Sequence, residues 1–319
     1  MVADEQVARS KAIQQRTGKT FHVATRLLPA RVREATYVLY AFFRVADEVV
    51  DHPDGASPAE QREELERIRR AALGEDPTDD PVLAAFSELR VEHGISEEDV
   101  NVFVDAMVTD IEKSQYETYE ELEVYMDGSA AAVGRMMTDV MDPDNREEAL
   151  PHATALGEAF QLTNFLRDVR EDVVERDRIY LPQSTLSEHG VTEKQIRAFR
   201  TDADFEAAMR AELRRAEQLY RNGVAGIKYL PRDCQLAVLL SAVLYADHHR
   251  LIRERGYDVL SETPQLSLPR KLYLLAKTRW KWFWNKDPET VFRDVAVGFG
   301  EERPLPGHGP HDPPAVGTD

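Results

Sequence analysis

Two sets of oxygen-bearing side chains stand out by their spacing. Asp47 and Asp51 lie four residues apart in Arg44-Val45-Ala46-Asp47-Glu48-Val49-Val50-Asp51, and positions i and i+4 of a helix share a face. Carboxylates so placed repel each other unless a cation is bound. The apolar run 37–43 just before them puts the pair at the end of a segment that reads as buried nearly all round. Alone, such a pair is also common on solvated helix surfaces. The second set is Asn164, Asp168 and Asp172 at i, i+4 and i+8, with Gln161 a turn earlier and Glu171 beside Asp172. Stacked oxygen donors are hard ligands suited to Mg2+, which keeps waters or phosphate oxygens in its remaining sites. A solvated face laced with Arg167 and Arg170 is the competing reading. If the rows face each other, the cleft between them is strongly negative. It is useful only for gathering cations and, through them, an anion such as a diphosphate.

The elements that must position these rows are helices, and the pattern is all-α. Helical periodicity predicts segments at about 5–16, 31–51, 57–72, 80–92, 97–113, 118–141, 147–175, 192–199, 203–225, 232–255 and 268–284. Breaks fall at Pro29, His52-Pro53-Asp54-Gly55, Gly74 to Pro77 and Asp142-Pro143-Asp144-Asn145, and Arg178 to Pro182 reads as an extended exit. No linker divides the chain, so residues 1–302 are expected to form one helical domain. Residues 303–319, with five prolines and three glycines, are expected to form a disordered tail.

Composition narrows the class. Against 40 basic residues stand 58 acidic ones, a formal charge of −18, which disfavours nucleic acid as a partner because such proteins need a basic footprint. The excess fits solvation, or adaptation to high salt, where repulsion between surface carboxylates is screened. The single cysteine, Cys234, excludes an internal disulfide framework and fits a reducing cytoplasm. The first residues have no apolar core of signal-peptide length, and no apolar run is long enough to span a bilayer. One stretch reverses the charge: 270–286 carries six basic residues and no acidic ones, interleaved with Trp280, Trp282 and Trp284. It reads either as a peripheral membrane contact or as a helix complementing acids on the body.

Taken together and in order, the motifs resemble the squalene and phytoene synthase family, the head-to-head branch of the isoprenoid synthases. Lys19-Thr20-Phe21 followed by Leu27-Leu28-Pro29 is similar to the family's N-terminal signature. The run from Leu39 to Arg44 leading into Asp47 to Asp51 is similar to its first aspartate-rich motif. Tyr125 to Met136 resembles its small-residue helix, and Gln161 to Asp172 with Arg178-Ile179-Tyr180-Leu181-Pro182 its second aspartate-rich motif. The resemblance covers about 10–284. It departs at Gly18, where the family often has serine, at Glu48 for a second aspartate, and at Ser129 and Ala131, where valine and glycine are frequent.

The resemblance implies a single-domain, isoprenoid synthase-type helical bundle around a central cavity. It implies a magnesium-dependent prenyltransferase (manganese being an alternative metal) that acts on prenyl diphosphates. Asp47, Asp51, Asn164, Asp168 and Asp172 would hold the metal; Arg44 and Arg167 would act with the four aspartates in catalysis. Gly18, Lys19, Thr20, Phe21, Tyr40, Arg44, Tyr125, Gln161, Arg167, Tyr180 and Tyr245 would bind substrate. The Arg178 to Pro182 exit and the lack of a C-terminal anchor are more like the phytoene branch, from two geranylgeranyl diphosphates without NADPH. The alternatives are squalene or dehydrosqualene formation from farnesyl diphosphate, with NADPH needed only for squalene, and a non-catalytic assembly protein on the same scaffold. The small residues at 128–134 suggest close approach of a helix or a prenyl chain, with Ala131 expected to limit chain length. Gly18-Lys19-Thr20 is no P-loop, since Ile13 stands where that motif needs glycine. Asp247-His248-His249 is expected to serve a surface or packing role, because adjacent helical residues diverge.

Overall fold

The structure, a computed structural model, describes residues 25–52 and 55–296. The predicted helix at 5–16, the Gly18 to Phe21 segment, the tail at 303–319 and the boundary before it lie outside the described residues. Among the described residues there is no β-strand, only an isolated parallel bridge between Gln115 and Ile179.

The first helix, α1 (Ala30–Asp51), starts after Pro29 and buries most of its length. Its Phe42 ring stacks on Phe86 at 3.8 Å and meets Phe103 at 5.4 Å. Those rings come from α3 (Pro81–His93) and α4 (Glu97–Thr109), while α2 (Pro58–Leu73) closes the group. Local chemistry sets the boundaries. Ser57 and Glu60 form a reciprocal capping box ahead of Pro58, and Gly74 ends α2 in the left-handed region at φ 77°. Asp80 caps α3 at Val82, with Pro81 in the first turn.

Two long predicted helices are each interrupted. The stretch expected as one helix at 118–141 is α5 (Tyr119–Met126), a π-helical turn (Asp127–Ala131) and α6 (Ala132–Met141). The cause is close packing. A Cβ on Gly128 would stand 2.2 Å from the Val102 carbonyl oxygen of α4, so only glycine allows this approach. The stretch expected at 147–175 is α7 (Arg146–Arg167) and α8 (Val169–Arg176), broken at Asp168 with φ −100° and ψ 15°. Here Arg167 and Asp168 pair through their side chains, with Nε donating to Oδ1 at 2.6 Å. Neighbouring side chains on a regular helix do not face each other.

The rest of the bundle is α9 (Gln183–Glu188), α10 (Glu193–Arg197), α11 (Ala203–Ala225), α12 (Arg232–Glu254), α13 (Leu268–Trp284) and α14 (Pro288–Val295). The short α9 and α14 were not anticipated, although Asp287-Pro288 is a readable start, with Asp287 accepting from the Thr290 amide at 2.9 Å. Helix α7 packs on α11, α12, α6 and the π-helical turn. Glycines permit these approaches: a Cβ on Gly157 would lie 2.5 Å from the Ala130 carbonyl oxygen, and one on Gly223 2.8 Å from the Leu156 backbone. Among the described residues no helix is long and apolar enough to cross a membrane.

Candidate active site

Between α1, α6, α7 and α12 lies a cavity of about 940 Å3. At one end α1 contributes Tyr40, Arg44 and Asp47, spaced four and three residues apart as one helix face requires, and α7 contributes Gln161, Asn164, Arg167 and Asp168. Glu171 of α8 (Val169–Arg176), Tyr245 and His248 of α12 and Lys271 of α13 add to the polar wall. Away from that end the wall turns apolar, with Leu39, Phe43, Val133, Met137, Leu156 and Phe160. The cavity therefore has a charged end and a largely apolar remainder, interrupted by Thr36, Thr138, His152 and Ser241.

The outer members of the two rows meet through an arginine. Arg176, at the end of α8, places Nε 3.5 Å from Asp51 Oδ1 and Nη1 3.1 Å from Asp172 Oδ1. A guanidinium thus spans the rows, which converge. Arg178 lies 3.8 Å from Asp51 and 3.5 Å from Asp110. Asp110, which caps α4, accepts a hydrogen bond from the Tyr125 hydroxyl at 2.7 Å.

Burial dominates the electrostatics. The Asp47 side chain keeps 34% of its surface accessible, but that surface opens onto the cavity. Burial pushes its carboxyl up to about 7; Arg44 opposes the rise, while Asp51 and Asp110 add to it. Asp172 is likewise raised to about 7 by burial, against Arg176 and with Asp168 and Glu171. Asp110 rises to about 6 for the same primary reason. The mouth also holds an underused donor: Arg44 reaches Asp47 at 3.3 Å through Nη1, but its buried Nε has no hydrogen-bond partner. Burial, reinforced by Arg167, lowers His248 to about 3, so this ring is neutral.

Among the described residues no three His, Cys, Asp or Glu side chains close around one metal-sized point. Carboxylates raised by burial, with neighbouring like charges adding to the rise, stand in rows of oxygen donors, and such a set fits a divalent cation such as Mg2+.

Not every expected residue borders the cavity. Asp51 and Asp172 stand behind its wall in the Arg176 bridge. Tyr125 and Tyr180, expected at the substrate, are both buried and do not border the cavity. Tyr180 stacks on Phe165 at 3.9 Å, and its hydroxyl accepts from Arg178 at 3.2 Å. A buried phenol needs a polar partner, and Asp110 and Arg178 supply it here. Ala131 is fully buried outside the cavity, whereas Ser129, Ala130, Val133 and Gly134 border it. Of the 247–249 cluster, Asp247 is a buried ion-pair centre for Arg250 and Arg270, and His249 is buried beside Thr163. His248, by contrast, faces the cavity. Asp110, Arg176 and Lys271 join the site without having been marked by motif or spacing in the sequence. Asp110 fell inside a predicted helix with no acidic partner on its face, so nothing local marked it.

A family model described as squalene/phytoene synthase matches residues 14–270. The chain belongs to that family. Like its relatives it is a prenyltransferase. A 15-cis-phytoene synthase of Synechocystis is 32% identical over 272 residues, 81% of this chain and 79% of the relative. A phytoene synthase of Thermus thermophilus is 33% identical over 258 residues, 81% and 87% of the two chains. Among solved structures, a dehydrosqualene synthase in complex with ligand superposes with a TM-score of 0.79 at 26% identity, over 88% of this chain and 98% of that one. A squalene synthase from Alicyclobacillus acidocaldarius gives 0.71 at 25% identity, over 80% and 95%. The chain thus shares the helical bundle of these solved structures and is similar in sequence to the phytoene synthases over about four-fifths of its length.

Proposed function

We propose that this prenyltransferase condenses two geranylgeranyl diphosphates head to head into phytoene, through a cyclopropylcarbinyl diphosphate and with release of diphosphate. The observation that carries this reading is the convergence of two acidic helix rows beside one cavity, with Asp47 and Asp168 facing it and Asp51 and Asp172 bridged by Arg176 behind its wall. The similarity to phytoene synthases supports the product.

Asp47, Asp51, Asn164, Asp168 and Asp172 would hold magnesium, which when bound supplies electrostatic stabilisation of the departing diphosphate. Arg44 and Arg167 direct cationic donors at the same place, and the unpartnered Arg44 Nε is a ready contact for a phosphate oxygen. Gly18, Lys19, Thr20 and Phe21, which lie outside the described residues, are proposed to help bind substrate. Tyr40, Gln161 and Tyr245 border the mouth and orient the allylic ends. The apolar wall from Leu39 to Phe160 takes the chains and keeps water from the carbocation. Termination by proton loss needs no hydride, so NADPH is not required. Residues 270–286 are proposed as a peripheral membrane contact of a cytoplasmic enzyme.

Incubation of the purified protein with Mg2+ and either farnesyl or geranylgeranyl diphosphate, with and without NADPH, tests the reading. Phytoene from geranylgeranyl diphosphate, unchanged by NADPH, is expected. Squalene or dehydrosqualene from farnesyl diphosphate alone would move the assignment to those branches, which the fold neighbours also represent.

A further inference from the structure

Helix α13 has two unlike faces. One packs on the body: Leu274 and Thr278 are fully buried, Trp282 nearly so, and Arg270 ties the helix to α12 through Asp247 at 2.9 Å. The other presents Leu268, Leu272, Tyr273, Trp280, Phe283 and Trp284, each at least 51% exposed. Their spacing is that of a single helical stripe. Scattered exposed apolar residues are ordinary, but a stripe of six along one helix marks an interaction surface. Trp280, Phe283 and Trp284 lean on one another, with ring centroids 5.9 Å and 5.0 Å apart.

The charge around the stripe selects its partner. On a chain of net charge −18, residues 270–286 hold six basic residues and no acidic ones. Arg270 and Lys281 are used internally, on Asp247 and Asp294. Arg279 and Lys286 are exposed and Lys277 half-buried, with Lys277 over the outward Tyr273 ring at 5.9 Å and Lys286 over the ring of the inward Trp282 at 5.1 Å. Aromatic side chains flanked by lysine and arginine match an anionic bilayer surface. A second copy docked face to face would bring like charges together.

The stripe also adjoins the reaction chamber. The stretch from Thr263 to Leu266 borders the cavity, Leu268 opens the exposed stripe two residues later, and Lys271 returns to the cavity wall. We propose that the outward face of α13 docks on an anionic lipid bilayer and holds the cavity wall at Thr263 to Leu266 against it as the doorway for prenyl chains. Docking is independent of the reaction; the doorway rests on prenyl diphosphates being the substrates.

The chain's three tryptophans all lie on α13, so selectively excited tryptophan emission reports on this helix alone. Full-length protein is mixed with phosphatidylcholine vesicles containing about 30% phosphatidylglycerol, and with pure phosphatidylcholine vesicles. The anionic vesicles are expected to shift emission to the blue and to float the protein. The triple variant Leu272→Ser, Tyr273→Ser, Phe283→Ser keeps every tryptophan, and its binding should fall about tenfold or more. Equal flotation of the triple variant overturns docking, as does unshifted emission of the parent protein. A dimer that this variant dissociates, without flotation, would give the face to a second copy. A shift seen only after residues 303–319 are removed would give it to the tail. For the doorway, detergent-dispersed substrate should be turned over equally by both proteins, while vesicle-borne substrate should show a raised KM for the variant at unchanged kcat. Equal KM in vesicles removes the doorway. Flotation without turnover of any prenyl diphosphate would instead sink the proposed reaction and leave docking standing.

Discussion

The two acidic rows reach one cavity mouth by different backbone routes. Asp47 and Asp51 sit on an unbroken helix and owe their common face to helical repeat alone. Asn164, Asp168 and Asp172 run across the break between α7 and α8, yet keep their register, because the Asp168 amide donates to the Asn164 carbonyl and the Asp172 amide to the Asp168 carbonyl, both at 2.8 Å. The break turns Asp168 into its pair with Arg167 without moving the row off its face. Spacing is thus robust to a local kink as long as the i to i+4 bonds persist. The rows also divide by depth: Asp47 and Asp168 face the cavity, whereas Asp51 and Asp172 share Arg176 behind it.

The sharpest way to break this comparison is to neutralise the inner pair. Asp47→Asn and Asp168→Asn should each lower kcat/KM by about 100- to 1,000-fold. The double variant should lose little more than either single, since groups acting as one unit are not additive. Steady-state kinetics showing full additivity would mean the rows work separately. The outer pair calls for Arg176→Gln, which leaves Asp51 and Asp172 without their shared cation. In metal-free protein this should cost about 1–3 kcal/mol, less than for a fully buried pair because Arg176 is partly exposed. Added Mg2+ should then raise the melting temperature more than in the parent protein. Calorimetry finding no extra gain would place the cation elsewhere.

A subtler test uses pH. Asp47 and Asp172 have folded-state values near 7, above the ordinary value of 3.8, so between those limits the folded chain binds more protons than the unfolded one. These groups therefore make metal-free protein less stable as pH rises from about 4 to 7. Melting temperatures of chelator-treated protein should fall across that window, and Mg2+ with diphosphate should flatten the slope. A melting temperature that rises over the same range in the chelated protein would contradict the account. The smallest effect is expected from Tyr125→Phe, which deletes the hydrogen bond to Asp110 behind the first row. About 1 kcal/mol of stability and a severalfold loss of kcat should follow. An unchanged denaturant midpoint would show that the bond contributes nothing.

How much was legible follows from how local each signal is. Helix boundaries at Ser57-Pro58 and Asp80-Pro81 are written in a few adjacent residues, because capping is a local hydrogen-bonding problem. The π-helical turn was not legible: it depends on the Val102 carbonyl, distant in sequence from Gly128. Nor was Asp110, whose importance comes from Tyr125 and Arg178, 15 and 68 residues away. The hydrogen bonds that tie Tyr125 to Asp110 and Tyr180 to Arg178 are likewise invisible in the sequence.

By itself the sequence determined an all-helical chain, the faces carrying Asp47, Asp51, Asn164, Asp168 and Asp172, and a basic aromatic helix on an acidic protein, since helical periodicity and charge are properties of neighbouring residues. Only the tertiary structure decided which of those carboxylates open onto the cavity and which are bridged by Arg176. It also decided that α13 turns its aromatic stripe outward. The reason is that burial, and with it the protonation of Asp47 and Asp172, is set by what distant helices bring alongside.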